Sequence, residues 1–234
     1  MSDKSMLGRD ELQLPREATL YGAGGHAREL RFELEADGVN VRAFVDDFAS
    51  GRQIDGLPVL SFEDAAVRLR DSDWFIAVGG IAARMTLAAK VAAAGLPLGR
   101  FVSRAARMLP SARVGIGVQV FHGAVLSASA QLGDFSLVNF GCVLSHDVHV
   151  GAYATICPGV HVAGHVVIGE RVWIGVGASI RNGSPGKPLI IGDDAFVAAG
   201  ACVVGDVAAR ATVAGVPARP FSPAAPGERG GSGT

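Results

Sequence analysis

A six-residue period in apolar residues runs through the second half of this chain. Every sixth residue is Val, Leu or Ile at twelve consecutive positions, which are 114, 120, 126, 132, 138, 144, 150, 156, 162, 168, 174 and 180. The fourth residue after each of them, from Val118 to Ala178, is always small or β-branched. A fixed six-residue period is typical of a β-helix, since a coiled coil repeats every seven residues and a half-buried strand alternates every two.

The period predicts a three-sided prism. Each six-residue unit makes a short strand and a bend, three units close one coil, and successive coils stack as parallel strands about 4.8 Å apart. The aliphatic residues point inward along the axis, and only small side chains fit beside each corner. The repeat breaks once, at the turn-rich insertion 182–188, and resumes at Ile191, Val197 and Val203, with Ala209 as a weaker position. We expect the insertion to project and to form the lip of a binding site.

The first part of the chain has a different pattern. Strands are predicted at 18–21, 41–45 and 74–78 and helices at 27–36, 63–70 and 82–94, an alternation that indicates a small parallel, Rossmann-like α/β sheet. We therefore predict a polar N-terminal segment (1–17), an α/β domain (18–95), a connector (96–113), a parallel β-helix of hexapeptide repeats (114–219) and a disordered tail rich in Pro, Gly and Ser (220–234).

Composition excludes several classes of function. The net charge is −1 and basic residues do not cluster, so the footprint of nucleic-acid binding is missing. There is no apolar stretch that would span a membrane, and the first 17 residues do not resemble a signal peptide, so we expect a cytoplasmic protein. The cysteines Cys142, Cys157 and Cys202 are odd in number and lack CxxC spacing, which predicts neither disulfides nor a zinc knuckle.

A glycine-rich turn opens the α/β domain. The segment GAGGHA follows a predicted strand and opens a helix, so Gly22, Gly24 and Ala27 satisfy the dinucleotide-binding pattern. Asp46 and Asp47 end the second strand, where a carboxylate can bind a ribose hydroxyl. The domain is about half the size of a full dinucleotide fold, so a nucleotide-phosphate site is favoured over NAD binding. A purely structural tight turn is the alternative.

The histidines of the repeat are sorted by their place in the hexad. His146 occupies the third, outward-facing position and is followed by Asp147, with Asn139 seven residues earlier. His165 lies one coil up and one residue along, so it can approach His146. A solvated surface histidine is the alternative. His161 and His165 lack the four-residue separation of the zinc-binding pair in proteins that resemble γ-class carbonic anhydrases, so no metal site is predicted.

Taken in order, these motifs carry a family resemblance. GAGGHA, then VDD (45–47), then Asn139, His146 and Asp147, then Ala163–Gly164, and finally GVPAR (215–219) resemble the bacterial nucleotide-sugar N-acetyltransferases of the bacillosamine and perosamine type. They also resemble the sialic acid O-acetyltransferases. The resemblance covers about residues 18–219 and implies a left-handed β-helix, a homotrimer, and acetyl-CoA held between adjacent prisms as co-substrate without a metal.

The resemblance also implies residue roles. His146 is the general base, Asp147 holds its ring, and the Gly164 amide faces the thioester carbonyl. Many relatives have Glu in place of Asp147, and Thr155 stands where relatives often have a histidine that contacts acetyl-CoA, so that contact is weakened or lost. The implied nucleotide-sugar contacts are Gly24, Gly25, His26, Asp46 and Asn139. The implied acetyl-CoA contacts are Thr155, Gly164, Gly200, Gly215, Pro217 and Arg219.

The expected activity is acetyl-CoA-dependent N-acetylation of a nucleotide-linked 4-amino-6-deoxy sugar made for surface glycans. Two alternatives stay open, namely O-acetylation of a sugar hydroxyl and a non-catalytic trimeric nucleotide-binding scaffold. Cys142 and Cys157 lack an adjacent base, so neither is predicted to be a nucleophile. The sequence leaves open the nucleotide base, the sugar stereochemistry and the acyl chain length.

Overall fold

The computed structural model of the protein describes residues 6–221. Most of the predicted disordered tail, from residue 222 onward, lies outside the described residues. Pro220 does not belong to a tail, because Arg219–Pro220 pairs antiparallel with Thr212–Ala214 at the end of the prism. Among residues 6–221, no helix is long and apolar enough to cross a membrane.

The first part of the chain forms a five-stranded sheet with three helices. The strands are β1 (Glu17–Tyr21), β2 (Asn40–Val45), β3 (Gln53–Ile54), β4 (Leu57–Leu60) and β5 (Asp73–Ile76), in the order β3-β4-β2-β1-β5. The helices are α1 (Gly25–Ala36), α2 (Phe62–Arg68) and α3 (Ile81–Ala93). All strand pairs except β3–β4 are parallel. The sequence did not predict β3 and β4, which form a short hairpin too brief to show a period.

The remaining strands form the three faces of a prism. Face 1 contains β6 (Phe101–Val102), β9 (Gln119–Val120), β12 (Leu137–Val138), β15 (Thr155–Ile156), β18 (Trp173–Ile174), β21 (Phe196–Val197), β23 (Thr212–Ala214) and β24 (Arg219–Pro220). Face 2 contains β7 (Arg107–Met108), β10 (Val125–Leu126), β13 (Val143–Leu144), β16 (His161–Val162), β19 (Ser179–Ile180) and β22 (Cys202–Val203). Face 3 contains β8 (Arg113–Val114), β11 (Gln131–Leu132), β14 (His149–Val150), β17 (Val166–Ile168) and β20 (Leu189–Ile191).

These faces confirm the predicted fold class, a small α/β domain followed by a left-handed parallel β-helix. Val125 pairs with Val143, 18 residues further on, which is one coil of three six-residue units. Across the insertion Val167 pairs with Ile190, 23 residues on, so the break adds five residues to one coil. Prism strands already begin at Phe101, inside the segment predicted as a connector.

The prism core follows the six-residue period. All twelve aliphatic positions are buried, and so is every small or β-branched residue from Val118 to Ala178. Cys142 is one of these core residues, with its side chain fully buried. The prediction for Ala209 is wrong, because Ala209 is exposed and Val207 bridges to Ile191 in its place. The last coil is two residues shorter, since Val197 pairs with Val213, and the inward frame shifts accordingly.

The corners of the prism use left-handed backbone. The non-glycine residues Asp147 and His165 have φ values of 57° and 56° and occupy the same corner on successive coils. Residues with a side chain pay about 1–2 kcal/mol for this conformation, although Asp tolerates it better than most. Because the two residues are one coil apart at one corner, their side chains lie beside each other.

The α/β domain docks on face 1. Outward-facing side chains of the lower coils, Gln119, Leu137 and Thr155, are almost completely buried there. The Gln119 amide bridges the two parts, since its Nε2 donates to the Ile76 carbonyl and its Oε1 lies 3.0 Å from His26 Nε2. Above the docked domain, Trp173 and Phe196 stack on each other on the same face, 6.4 Å apart.

Candidate active site

The corner between faces 2 and 3 carries a histidine and a carboxylate in hydrogen-bond contact. His146 Nδ1 lies 2.9 Å from Asp147 Oδ2. This hydrogen bond from His146 lowers the pKa of Asp147, so the carboxylate is ionised and accepts the hydrogen bond that Nδ1–H donates. That tautomer leaves a lone pair on Nε2, where a base must accept a proton. The two side chains are about half exposed, as the hexad position of His146 predicted.

Gly164 makes room for the imidazole of His146. A Cβ atom on Gly164 would stand 2.5 Å from His146 Cε1 and 2.6 Å from Nε2, closer than any ordinary contact. The residue is buried, and its N–H donates to no backbone carbonyl in the described part of the chain. The absence of a side chain therefore lets the ring lie beside the Gly164 N–H, which donates to no backbone carbonyl among residues 6–221.

His165 completes the cluster. Its Nδ1 lies 3.7 Å from Asp147 Oδ2, the same oxygen that faces His146. The two imidazole rings pack edge to face with their centroids 5.0 Å apart. The sequence predicted only that His165 could approach His146, and the structure adds that both histidines share one carboxylate.

The insertion 182–188 lies directly above this cluster. Gly183 N–H donates to the Gly164 carbonyl, and Leu189 N–H donates to the His165 carbonyl, each over 3.0 Å. The loop borders an open depression of about 560 Å³. Arg181 and Lys187 are among its lining residues, so two cationic side chains lie one coil above His165 and two coils above His146.

Several predicted site residues lie at a different corner, between faces 1 and 2. Asn139 follows β12 and is half-buried, with its N–H donating to the Ile156 carbonyl. Gly200 and the segment 215–219 lie at the upper end of the same corner, since Ala218 N–H donates to the Cys202 carbonyl and Cys202 N–H to that of Gly215. Gly200, Gly215, Pro217 and Arg219 are all exposed. Within one chain, face 2 separates these residues from His146.

The glycine turn of the α/β domain forms an open depression of its own. Gly24 and Gly25 are exposed and line a space of about 530 Å³ together with Arg28 and Gln53. Gly24 caps α1 at its N-terminus, where backbone N–H groups favour an anion. Asp46 is half-buried, and its Oδ1 accepts a hydrogen bond from Phe48 N–H.

His26 faces the prism instead of solvent. Its ring lies against Phe121 and beside Gln119. Burial lowers the pKa of His26 to about 4, so the imidazole is neutral at neutral pH. His26 therefore contributes to the interface between the α/β domain and the prism. Only the exposed part of its ring is available to contact a nucleotide sugar.

Thr155 lies under α3, away from the open corners. Its side chain is 1% exposed, and its Oγ1 accepts a hydrogen bond of 2.7 Å from Arg84 Nη2. Arg84 also donates to the carbonyls of Tyr153 and Gly79. This burial leaves almost none of the Thr155 side chain for acetyl-CoA to reach, and the weakening or loss of that contact stays a prediction. The physical reason for the burial is the docked α/β domain, which covers face 1.

The cysteines of the core are chemically inert. Burial raises the pKa values of Cys142 and Cys157 to about 11 each, so neither thiol ionises at neutral pH. Cys142 Sγ lies 3.1 Å from the Cys157 carbonyl oxygen.

Sequence reasoning missed two contributors to the site. Arg84 is fully buried and joins α3 to the prism, yet an arginine in an apolar helix gives no signal of burial in the sequence. Lys187 belongs to an insertion that was recognised only as a break in the period. The positive charge of Lys187 could have been noted in the sequence. The corner of the prism above which Lys187 lies could not be predicted.

Comparison with known proteins finds similar chains. Residues 17–91 match the PglD N-terminal domain family. The GDP-perosamine N-acetyltransferase of Escherichia coli is 29% identical over 207 residues, covering 86% of this chain and 94% of that protein.

Two solved structures extend the similarity to three dimensions. A mutant perosamine N-acetyltransferase from Caulobacter crescentus, in complex with CoA and GDP-perosamine, is 34% identical with a TM-score of 0.82, covering 88% of this chain and 97% of that one. The acetyltransferase domain of PglB from Neisseria gonorrhoeae, in complex with acetyl coenzyme A, is 32% identical with a TM-score of 0.80, covering 88% and 99%. The chain therefore belongs to the family of bacterial nucleotide-sugar N-acetyltransferases.

Proposed function

We propose that this protein transfers the acetyl group of acetyl-CoA to the amino group of a nucleotide-linked 4-amino-6-deoxy sugar. The observation that carries the proposal is the Caulobacter relative, which is similar over almost its whole length and binds CoA and GDP-perosamine. The hydrogen-bonded pair of His146 and Asp147 supplies the base that such a reaction needs.

His146 acts as the general base in this proposal. Asp147 holds Nδ1–H, so Nε2 is free to take a proton from the substrate's ammonium group or from the amine as it attacks. The amine nitrogen forms a bond to the thioester carbon, the carbon–sulfur bond breaks, and CoA leaves as a thiol once its sulfur is protonated. The imidazolium that forms is stabilised by the Asp147 carboxylate, which accepts a hydrogen bond from Nδ1–H throughout while the proton stays on the ring.

The Gly164 amide is the proposed donor to the oxyanion. Attack on the thioester places negative charge on its carbonyl oxygen, and a preorganised N–H donor is worth most at that moment. The amide is buried, has no backbone partner in the described residues, and lies beside the His146 ring. Base and oxyanion donor thus stand together at one corner.

A homotrimer is part of the proposal. The predicted contacts for acetyl-CoA and sugar are divided between two corners of the prism, with His146 and Gly164 at one and Asn139, Gly200 and Arg219 at the other. A neighbouring copy can bring its second corner to the first, so that each site is completed between two subunits. Sedimentation equilibrium tests this directly, since a monomer with full activity would contradict a site shared between subunits.

The remaining features of the proposal concern the substrate's setting. Gly24 and Gly25 would hold phosphates of the nucleotide, and Asp46 a ribose hydroxyl. We also propose a cytoplasmic location, because acetyl-CoA and nucleotide sugars are cytoplasmic metabolites, and cell fractionation tests it.

The experiment uses the purified full chain with acetyl-CoA and a panel of nucleotide amino sugars, beginning with GDP-perosamine and including uridine- and thymidine-linked analogues. Mass spectrometry detects the acetylated product, and mild alkali separates an amide from an ester because only the ester is cleaved. The His146→Ala variant is expected to lose at least about 10²-fold in kcat while its oligomeric state stays unchanged. A folded His146→Ala protein with wild-type kcat would contradict the mechanism, and an alkali-labile product would indicate O-acetylation.

A further inference from the structure

One oxygen of Asp147 faces two imidazoles. Asp147 Oδ2 lies 2.9 Å from His146 Nδ1 and 3.7 Å from His165 Nδ1. One candidate ligand atom from each of these three residues lies within 4.8 Å of the other two. Acetyl transfer needs only the first of these contacts, so the position of His165 is unexplained by the proposed chemistry.

The separations fit the coordination sphere of a transition-metal ion. Zn²⁺ binds imidazole nitrogen and carboxylate oxygen at about 2.0–2.2 Å, which places neighbouring ligands of a tetrahedral site about 3.4 Å apart. The two measured separations, 2.9 and 3.7 Å, lie on either side of that value. Two imidazoles and one carboxylate form a common ligand set for such ions, and water can take the open positions.

We propose that His146, Asp147 and His165 form an inhibitory site for a divalent transition-metal cation, with Zn²⁺ as the reference ion. His146 and Asp147 are about half exposed, and a quarter of the His165 side chain is exposed, so an ion can reach the three ligands from solvent. Asp147 and His165 occupy the same corner on successive coils, so two of the ligands already lie close together before the ion arrives.

Inhibition follows from the tautomer of His146, and this step rests on the proposed function. An ion bound to Nδ1 uses the lone pair of that atom, so a neutral ring must carry its proton on Nε2. In the free enzyme the proton is on Nδ1 and the lone pair on Nε2 accepts the substrate's proton. The ion therefore removes the base without blocking the acetyl-CoA contacts at the opposite corner.

His161 provides an internal control. It is exposed on β16, and it is not a member of the cluster. The variant His165→Asn removes one ligand and suits the left-handed backbone at this position, since Asn tolerates positive φ. The variant His161→Asn removes an imidazole from face 2 and leaves the three residues of the cluster unchanged.

The test uses untagged, chelator-treated full-length protein. Equilibrium dialysis against ZnCl₂ measures stoichiometry and affinity, and visible absorbance after Co²⁺ addition reports the ligand set. We expect one Zn²⁺ per chain and an affinity reduced at least about tenfold by His165→Asn, since even residues that only support metal ligands contribute about 10- to 100-fold. His161→Asn is expected to bind as wild type does. Acetylated product is then measured by mass spectrometry across the same Zn²⁺ range, relative to each variant's own rate without metal.

Each outcome decides one part of the proposal. Absence of Zn²⁺ binding, or binding weakened equally by His161→Asn and His165→Asn, would overturn the site. Binding that depends on His165 but leaves the acetylation rate unchanged would overturn the inhibition. If Zn²⁺ binds in this way while no nucleotide sugar is acetylated, the metal site stands and the proposed function fails.

Discussion

Gly164→Ala is a one-atom test of the catalytic corner. The added Cβ would stand 2.5 Å from His146 Cε1 and 2.6 Å from Nε2. An ordinary contact begins near 3.4 Å, so the ring must move by about 0.9 Å. Misplacing a catalytic group by about 1 Å can cost about 10²-fold in rate. We therefore expect kcat/KM to fall about 10²-fold, equivalent to about 2.7 kcal/mol of transition-state stabilisation.

The fold is expected to survive this change. The backbone of Gly164 does not have a positive φ, and the obstructing imidazole is half exposed and can rotate outward. Gly80→Ala is the matched control, because Gly80 also has ordinary backbone, no atom within 4 Å of the added Cβ and a position in the α/β domain away from the catalytic corner. It is expected to keep wild-type kcat/KM.

Steady-state kinetics on the acetylated product measure the effect, and a double-mutant cycle assigns it. If Gly164→Ala acts through the imidazole, adding it to His146→Ala should cost little more, since the ring is already gone. A crystal structure of the variant should show the contact between His146 Nδ1 and Asp147 Oδ2 lengthened from 2.9 Å. Wild-type kcat/KM in Gly164→Ala, or fully additive losses in the double variant, would refute the reasoning.

Three further predictions concern the rest of the molecule. The pKa of His26 is about 4 in the folded protein and about 6.5 when unfolded, so the unfolded state binds a proton first as pH falls. The free energy of unfolding that the neutral His26 contributes is therefore fully present above pH 6.5 and is lost toward pH 4, by about 2 kcal/mol at pH 5. Urea unfolding should show a smaller loss in His26→Gln. Arg84→Met removes the buried hydrogen bonds to Thr155, Tyr153 and Gly79 and should lower the free energy of unfolding by about 3 kcal/mol. The exposed ion pair of Arg28 with Asp55 makes Arg28→Met the control, with an expected loss below about 1 kcal/mol, and equal losses in the two variants would contradict the docking role of Arg84. Replacing both Arg181 and Lys187 by Ala should raise KM for acetyl-CoA or the nucleotide sugar about tenfold, because each of these substrates carries phosphates. An unchanged KM for both substrates would exclude a substrate role for the insertion.

The six-residue period carried most of the fold prediction. Burial of side chains inside a prism depends only on the place of each residue in the hexad, so Cys142 could be assigned to the core and His146 to the outside before any coordinates. The same arithmetic placed His165 one coil above Asp147. The period did not show whether the His165 imidazole contacts the Asp147 carboxylate or only lies near it, because that depends on side-chain rotamers at a left-handed corner.

The packing of the α/β domain could not be predicted from the six-residue period. Its glycine turn and its helices were visible as local patterns, but how it packs against the prism depends on contacts between residues far apart in the chain. Docking of this domain on face 1 is what buries Thr155 beneath Arg84 and turns His26 toward Gln119. Two residues with predicted roles in binding, Thr155 and His26, are thus engaged by this one interface.

By itself, the sequence determined the prism and its core, since both follow from a short-range period, whereas the contact of Asp147 with the His146 ring was expected only from the family resemblance. Only the tertiary structure decided that Gly164 makes room for the imidazole, that the insertion covers this corner, and that Asn139 and Gly200 lie at another. Those facts depend on how successive coils stack and where each corner points, which are properties of the packed chain and not of any segment alone.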